Sequence, residues 1–232
     1  MDEYANKVII FIGPPGSGKD TQANLLVEEF GMVQMPSSQI IRKAFADHPE
    51  DPVVQKEKIL FDAGKWNSPD FVARLLLEFI RAQAAAGKGL IFSGSPRTVT
   101  EAEIESAELA KLYGLENVTV LHLNLDKEIA LGRNVTRRMC RANSHPVPGT
   151  PEFSHLKVCP KDGSELYTRA IDNAETFEVR WNEHVTRTEP GAEFLKKAGL
   201  AVHEIDGSKT IQGIHQEIIG ILERQREPVP KE

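Results

Sequence analysis

The sequence predicts an α/β fold in which helices cover both faces of a parallel sheet. Apolar runs of strand length alternate with longer helical patterns, and this alternation is typical of such sheets. The 232 residues are 40% hydrophobic and contain no internal repeat or low-complexity tract. A chain of this length can bury one substantial core, so we expect one main domain with inserts.

Composition and charge narrow the possible classes of function. The formal net charge of −6 gives no general attraction to nucleic acid or to membrane surfaces. No apolar run approaches the roughly twenty residues that span a bilayer. The first residues, MDEY, lack the basic and apolar regions of a signal peptide. We therefore expect a cytoplasmic protein that binds neither nucleic acid nor membrane. We also expect a monomer.

The first half of the chain begins with a predicted buried strand at 8–12, followed by a glycine-rich loop. The helix after this loop has an amphipathic pattern that runs from Gln22 to Phe30. A short strand is expected at 33–35 and a further strand at 89–92. Between these two strands we expect helices at 38–46, 52–63 and 69–86.

The second half is interrupted by an irregular stretch. Before it we expect a helix at 99–113, a buried strand at 118–123 and a helix at 127–139. From Cys140 to about Ile171 the pattern breaks, and this proline-, glycine- and polar-rich stretch is too long for a simple connection. It predicts an inserted functional subdomain. Regular structure is expected again as a helix at 174–186, a strand at 202–205 and a helix at 211–223.

The loop at residues 13–21 has the sequence GPPGSGKDT and predicts a phosphate-binding site. Its three glycines, Gly13, Gly16 and Gly18, let successive backbone N–H groups turn toward an anion. Lys19 adds a mobile positive charge, and the following helix directs its positive dipole end at the same place. Strand, loop and helix follow one another in the order that such a site requires.

Several separated motifs resemble those of the adenylate kinase family. The phosphate loop is similar to the loop of that family, and the similarity extends from the first strand to the last helix. The other motifs are Asp62-Ala63-Gly64-Lys65, Gly94-Ser95-Pro96-Arg97-Thr98, the arginines Arg133, Arg137 and Arg138, and the later set Arg169, Asp172-Asn173, Glu175-Thr176 and Arg180. Ordered matches of this kind are far more specific than a phosphate loop alone.

The resemblance implies a three-layer P-loop NTPase fold with two inserts. The core would comprise 1–35, 71–136 and 180–232, with a helical NMP-binding insert at 36–70 and a lid at 137–179. The implied reaction is phosphoryl transfer from Mg-ATP to a nucleoside monophosphate, with AMP as the leading acceptor. The alternatives are a GMP or broad-specificity kinase, or a non-catalytic nucleotide-sensing protein of the same fold.

The resemblance also assigns roles to individual residues. Catalysis would rest on Lys19, Arg97, Arg137, Arg169 and Arg180. ATP would contact Gly13, Gly16, Ser17, Gly18, Lys19, Asp20, Thr21, Arg133 and Arg137. The monophosphate would contact Ser37, Arg42, Gly94, Arg97 and Glu101. Cations are required because the transfer brings two highly charged anions together in a site that excludes water.

Three positions depart from the family pattern. Ser93 stands where the family usually has an aspartate that helps to hold hydrated Mg²⁺, and Asp20 stands where it usually has glycine. Asp20 could compensate near the metal, or it could only favour the helix N-terminus. Glu101 stands in place of a glutamine. An ionised glutamate offers acceptors only, which suits the N1–H and amino group of guanine better than the edge of adenine.

The only two cysteines, Cys140 and Cys159, lie in the irregular stretch. The Cys159-x-x-Asp162 spacing lets a thiolate and a carboxylate reach one ion across a tight turn. We expect a structural zinc site formed by Cys140, His145, Cys159 and Asp162, with His155 as a substitute ligand. Two alternatives remain, inert apolar cysteines or a disulfide, and a cytoplasmic setting disfavours the disulfide.

Overall fold

The computed structural model describes residues 4–62, 67–143 and 145–225. Within these ranges a five-stranded parallel sheet has the order β2-β3-β1-β4-β8 and a three-stranded antiparallel sheet has the order β6-β5-β7. The strands are β1 Val8–Ile12, β2 Val33–Gln34, β3 Leu90–Phe92, β4 Val118–Asn124, β5 Arg138–Cys140, β6 Pro146–Val147, β7 Leu166–Tyr167 and β8 Ala201–Asp206.

Helices occupy most of the remaining described chain. They are α1 Lys19–Phe30, α2 Ser37–Asp47, α3 Pro52–Asp62, α4 Pro69–Ala85, α5 Val99–Leu112, α6 Lys127–Thr136, α7 Pro151–Ser154, α8 Ala174–Glu183, α9 Glu189–Lys197 and α10 Ile211–Arg224. None of these helices is both long and apolar enough to cross a membrane.

The parallel sheet is buried on both faces because successive residues of each strand point to opposite sides. Ile10 of β1 packs with Leu76 of α4 and Leu109 of α5 in one core cluster, which α9 also joins. Ile9 and Phe11 of β1 face the other side, where Leu26 of α1 and the apolar face of α10 form a second cluster. Two helical layers therefore enclose the sheet, and the predicted three-layer α/β fold is confirmed.

A separate apolar cluster joins α2, α3 and the start of α4. Phe45 stacks on Phe71 with ring centroids 6.2 Å apart, and Ile41, Ala44 and Val54 complete this small core. These helices occupy the region where we expect the NMP-binding insert. The predicted helix end at Ala63 and most of the Asp62–Lys65 motif lie outside the described residues.

The helix predicted at 127–139 ends three residues early, at Thr136. Met139 and Cys140 pair with Tyr167 and Leu166 in the antiparallel sheet instead of continuing the helix. Arg138 donates hydrogen bonds to the carbonyls of Phe153 and Leu156. Contacts with residues far along the chain thus override the local helical pattern, and the irregular stretch contains strands β5 to β7.

The helix predicted at 174–186 also ends early, at Glu183. A single π-helical turn, His184–Thr188, follows and leads directly into α9. Helix α9 was not expected from the sequence, because Pro190 and Gly191 interrupt its helical pattern. The helical backbone continues without a break from the π-helical turn into α9, so Pro190 lacks an N–H that a regular α-helix would use at this point.

Candidate active site

The phosphate loop connects β1 to α1 and leaves no room for side chains at two glycines. A Cβ on Gly13 would lie 2.5 Å from the carbonyl oxygen of Leu123, and one on Gly16 would lie 2.5 Å from that of Ala130. Both glycines also have positive φ, at 148° and 86°. The loop is therefore shaped by close packing on β4 and α6 as well as by its backbone conformation.

Lys19 is folded back into this loop. Its Nζ donates to the carbonyl oxygens of Gly13 and Pro14, at 2.6 and 2.9 Å, and to Oγ of Ser17 at 3.2 Å. The pKa of Lys19 is lowered to about 7, mainly by desolvation; the charge of Asp20 opposes this shift and the charges of nearby arginines add to it. A phosphate anion bound in the loop would favour the charged lysine.

The loop opens into a cleft of about 1120 Å³ at the carboxyl edge of the parallel sheet. Crevices at this edge are the usual ligand sites of open α/β sheets. The structure brings together every residue that the sequence analysis assigned to ATP, to the monophosphate or to catalysis. Lining the cleft are Gly13, Gly16, Ser17, Gly18, Lys19, Asp20, Thr21, Ser37, Arg42, Gly94, Arg97, Glu101, Arg133, Arg137, Arg169 and Arg180.

One carboxylate organises two of the arginines. Asp172, whose side chain is fully buried, accepts from Nη2 of Arg137 at 2.6 Å and from Nε and Nη2 of Arg169 at 2.9 Å. Although burial alone would raise the pKa of Asp172, the hydrogen bonds and charges of these arginines lower it. Asp172 was predicted only as part of a motif, because its bridging role depends on a contact across 35 residues.

Arg180 is a largely buried cation that lies close to other cations in the cleft. Desolvation lowers the pKa of Arg180 to about 10, and the nearby charges of Arg97, Arg137 and Arg169 contribute to the shift. Among the described residues, buried Nη1 of Arg180 has no hydrogen-bond partner. Buried donors are normally satisfied, so this atom indicates that the cleft is built for an anion.

The predicted monophosphate side contains acidic groups as well. Oε2 of Glu101 accepts from the backbone N–H of Arg97 at 2.8 Å and lies 3.3 Å from Oγ of Ser95. Ser95 also hydrogen-bonds Glu105, a fully buried residue that sequence analysis missed. Glu105 follows Glu101 by one helical turn of α5, a spacing that could have pointed to it.

Comparisons with known proteins decide the family. The adenylate kinase family model matches residues 11–200. An adenylate kinase of Archaeoglobus fulgidus is 33% identical over 219 residues, which cover 93% of this chain and 98% of that protein. The chain belongs to the adenylate kinase family. Adenylate kinases of Carboxydothermus hydrogenoformans and Methanosarcina acetivorans are each 32% identical, over 93% and 92% of this chain and 99% and 97% of theirs.

This adenylate kinase family member is a nucleoside monophosphate kinase, in agreement with the predicted enzyme class. Among the residues that depart from the family pattern, Ser93 is largely buried, and its Oγ accepts from Nε2 of Gln34 at 2.8 Å. Asp20 is exposed in the first turn of α1 and lines the cleft. Both residues line the same cleft, Ser93 just after β3 and Asp20 at the start of α1.

The family member also has a compact cluster of metal-binding groups in its antiparallel region. One ligand atom from each of Cys140, His145, Cys159 and Asp162 lies within 4.8 Å of the others. Oδ2 of Asp162 is 2.9 Å from Sγ of Cys140 and 3.3 Å from Nδ1 of His145. Two thiols, an imidazole and a carboxylate are a donor set that fits tetrahedral Zn²⁺. His155 is exposed at the end of α7, outside this cluster.

Proposed function

We propose that the protein transfers a phosphoryl group from Mg-ATP to AMP, yielding two ADP. The observation that carries this proposal is the group of cations around the cleft, in particular the buried donor of Arg180. Phosphoryl transfer gathers negative charge on the oxygens of the transferred group, and preorganised cations stabilise that charge. The adenylate kinases similar to this chain support AMP as the acceptor.

In this proposal three groups of residues bind different parts of the two substrates. The phosphate loop with Lys19 binds the donor phosphates, while Ser37, Arg42, Gly94 and Arg97 bind the monophosphate. Support for the second group includes Oγ of Ser37, which is buried and has no partner among the described residues. Arg137, Arg169 and Arg180 hold the transferred group, and no nucleophile from the protein is needed. Catalysis then consists of positioning, charge stabilisation and exclusion of water.

Arg133 is proposed to contact the donor nucleotide. Its guanidinium donates to the carbonyl oxygens of Gly207 at 2.6 Å and Ser208 at 3.1 Å, which holds its plane against that loop. A guanidinium fixed in this way presents a flat face on which a nucleobase can stack. Mg²⁺, when bound with ATP, would neutralise phosphate charge, and Asp20 is the carboxylate that we propose to assist it.

The lid at 137–179 is proposed to bind Zn²⁺ through Cys140, His145, Cys159 and Asp162. The two cysteines are free thiols rather than a disulfide, and their contacts within the cluster support a metal site. A structural metal would tie β5 to the turn at 159–163 and thereby stabilise a small antiparallel sheet that has little core of its own.

Acceptor choice depends in part on Glu101. One of its carboxylate oxygens is engaged by the N–H of Arg97 and by Ser95, so Glu101 has a structural task beside any contact with a base. We rank AMP first because that assignment rests on many positions, and Glu101 is one. GMP is the second candidate, since an ionised carboxylate accepts from both donors of guanine.

An assay of ATP with AMP, GMP, CMP and UMP in separate reactions tests the proposal. We expect AMP to give the highest kcat/KM. In the variant Glu101→Gln, the amide can both donate and accept, so any use of GMP should fall relative to AMP. Preference of the parent for GMP would overturn the ranking, and nucleotide binding without turnover would support the sensing alternative.

A further inference from the structure

His122, near the end of β4, lies between two carboxylates. Its Nε2 is 3.1 Å from Oε1 of Glu189 on α9, and its Nδ1 is 3.1 Å from Oε2 of Glu204 on β8. The side chain of His122 is only 9% exposed. Asn124 donates to the same oxygen of Glu204 at 2.6 Å, which holds that carboxylate in place.

The positions of these oxygens decide the protonation of His122. A neutral imidazole has one N–H, so it can donate to only one of two carboxylates, whereas an imidazolium donates to both. Burial alone would lower the pKa of His122, but the hydrogen bonds and charges of Glu189 and Glu204 outweigh this effect and raise it. Geometry and electrostatics both indicate a charged ring.

The same oxygen of Glu189 also contacts the cleft wall. Nε2 of His184 lies 2.7 Å from Oε1 of Glu189, and His184 is the first residue of the π-helical turn. His184 lines the cleft and follows Arg180 by one helical turn. Isolated π-helical turns are frequent at functional sites because they set side-chain directions that a regular helix would not give.

The other end of the turn is hydrogen-bonded to the segment that carries Arg97. Oγ1 of Thr188 donates to the carbonyl oxygen of Arg97 at 3.1 Å. The turn is thus held at His184 through Glu189 to the central sheet, and at Thr188 to the strand-end segment that carries Arg97. Arg180 precedes this turn on α8, so its position depends on where the turn begins.

We propose that His122, held as an imidazolium between Glu189 and Glu204, is a positioning residue that fixes the π-helical turn and with it Arg180 and Arg97 for phosphoryl transfer. This inference rests on the proposed transfer reaction but not on which monophosphate accepts. None of the three residues His122, Glu189 and Glu204 is placed in contact with the substrates.

The charge of His122 gives the proposal a pH dependence. The ionisable groups at its ring are Glu189 from α9 and Glu204 from β8, with His184 reached through Glu189. Because the pKa of His122 is raised on folding, its stabilising contribution is present below the unfolded value and is lost as pH rises through the folded value. Above that pH, one carboxylate loses its donor and the turn is held less firmly.

Two measurements test this assignment on the full-length protein. The ring ¹⁵N resonances of His122, assigned by their loss in His122→Gln, should show both nitrogens protonated at pH 7. In steady-state assays, Glu189→Ala should lower kcat by about tenfold, since small misplacements of catalytic groups are costly. The KM for ATP should change by less than about threefold, because the phosphate loop is untouched.

Glu189→Gln separates positioning from a general loss of structure. Its amide oxygen still accepts from both rings but carries no charge, so the alkaline fall in kcat should begin at lower pH than in the parent. Glu193→Gln, an exposed change of the same kind on α9, should leave the profile unchanged.

A singly protonated His122 ring at pH 7, or an unchanged pH profile in Glu189→Gln, overturns the proposal. If Glu189→Ala does not fold, Glu189→Gln and the resonances decide. A parent that transfers to no monophosphate refutes the proposed function, while the resonances still report on His122.

Discussion

The nucleotide cleft and the metal-binding cluster of the antiparallel region collect opposite kinds of groups. The cleft is lined by Lys19 and by seven arginines, and Asp172 is the carboxylate shared by two of these arginines. The cluster gathers two thiols, an imidazole and a carboxylate. The first set is suited to anions, and the second is suited to a cation.

The two regions also differ in how their groups are satisfied. In the cluster, Asp162 accepts from Asn143 at 2.8 Å and Cys140 contacts both Asp162 and Ser164, so the donors support one another. In the cleft, desolvation lowers the pKa values of Lys19 and Arg180, and Nη1 of Arg180 lacks a partner among the described residues. We therefore expect changes in the cleft to affect turnover most and changes in the cluster to affect stability most.

The largest effect is expected for Lys19→Met. Loss of a charge directed at the transferring phosphates should lower kcat by about a hundredfold or more. The nucleotide-free variant should nevertheless have a Tm at least as high as the parent, because a desolvated ammonium group is removed. Steady-state assays and thermal unfolding check both parts. Lys197→Met, an exposed change on α9, is the matched control. Turnover equal to that of the parent would remove Lys19 from its proposed role.

The second prediction concerns the metal cluster. Purified protein should contain about one zinc per chain, in line with a four-ligand site, and Cys140→Ser should lose it. Elemental analysis gives the metal content directly. Chelation should loosen the antiparallel region and lower the Tm, with the parallel core remaining folded. Metal-free protein with two freely reactive thiols would argue against the site.

These regions also differ in how well the sequence predicted them. The strand, loop and helix around Lys19 are set by residues within about twenty positions, so local patterns were sufficient. The helix from Lys127 stops early because Arg138 to Cys140 contact residues 15 to 28 positions away. The contact between His122 and Glu189 spans 67 positions and has no local pattern. The sequence therefore did not point to it.

A smaller effect is predicted for the magnesium side of the cleft. If Asp20 assists the metal that accompanies ATP, Asp20→Gly should raise the magnesium concentration for half-maximal rate by about threefold or more. Adding Ser93→Asp should restore it, because Ser93 lines the same cleft and an aspartate there returns a carboxylate to the surroundings of the metal. A magnesium titration of the rate measures both. An unchanged titration together with a lower Tm would show that Asp20 only favours the N-terminus of α1.

The smallest effect is predicted for Glu105, which lies near Glu101 and hydrogen-bonds Ser95 on the predicted monophosphate side. Its pKa is raised well above the usual range, by burial first and by the charge of Glu101 second. Oε2 of Glu105 has no hydrogen-bond partner among the described residues. Burying such a carboxyl costs less free energy in its neutral form than in its ionised form. Its proton would also let Ser95 accept from Glu105 while donating to Glu101.

The sign of the resulting stability change follows from the raised pKa. The neutral carboxyl stabilises the fold fully below its unfolded pKa, and this contribution is lost as pH rises toward the folded value. Glu105→Gln is uncharged at every pH and can donate to Ser95 in the same way. Its Tm should therefore exceed that of the parent at pH 8, by about 2–4 °C per kcal/mol gained, and the difference should shrink toward pH 5. Glu103→Gln, exposed on the same helix, should show no such trend. A variant less stable than the parent by the same amount at both pH values would mean that Glu105 is ionised and paired. Its charge would then be balanced by neighbouring groups, as the charge of Asp172 is in the cleft.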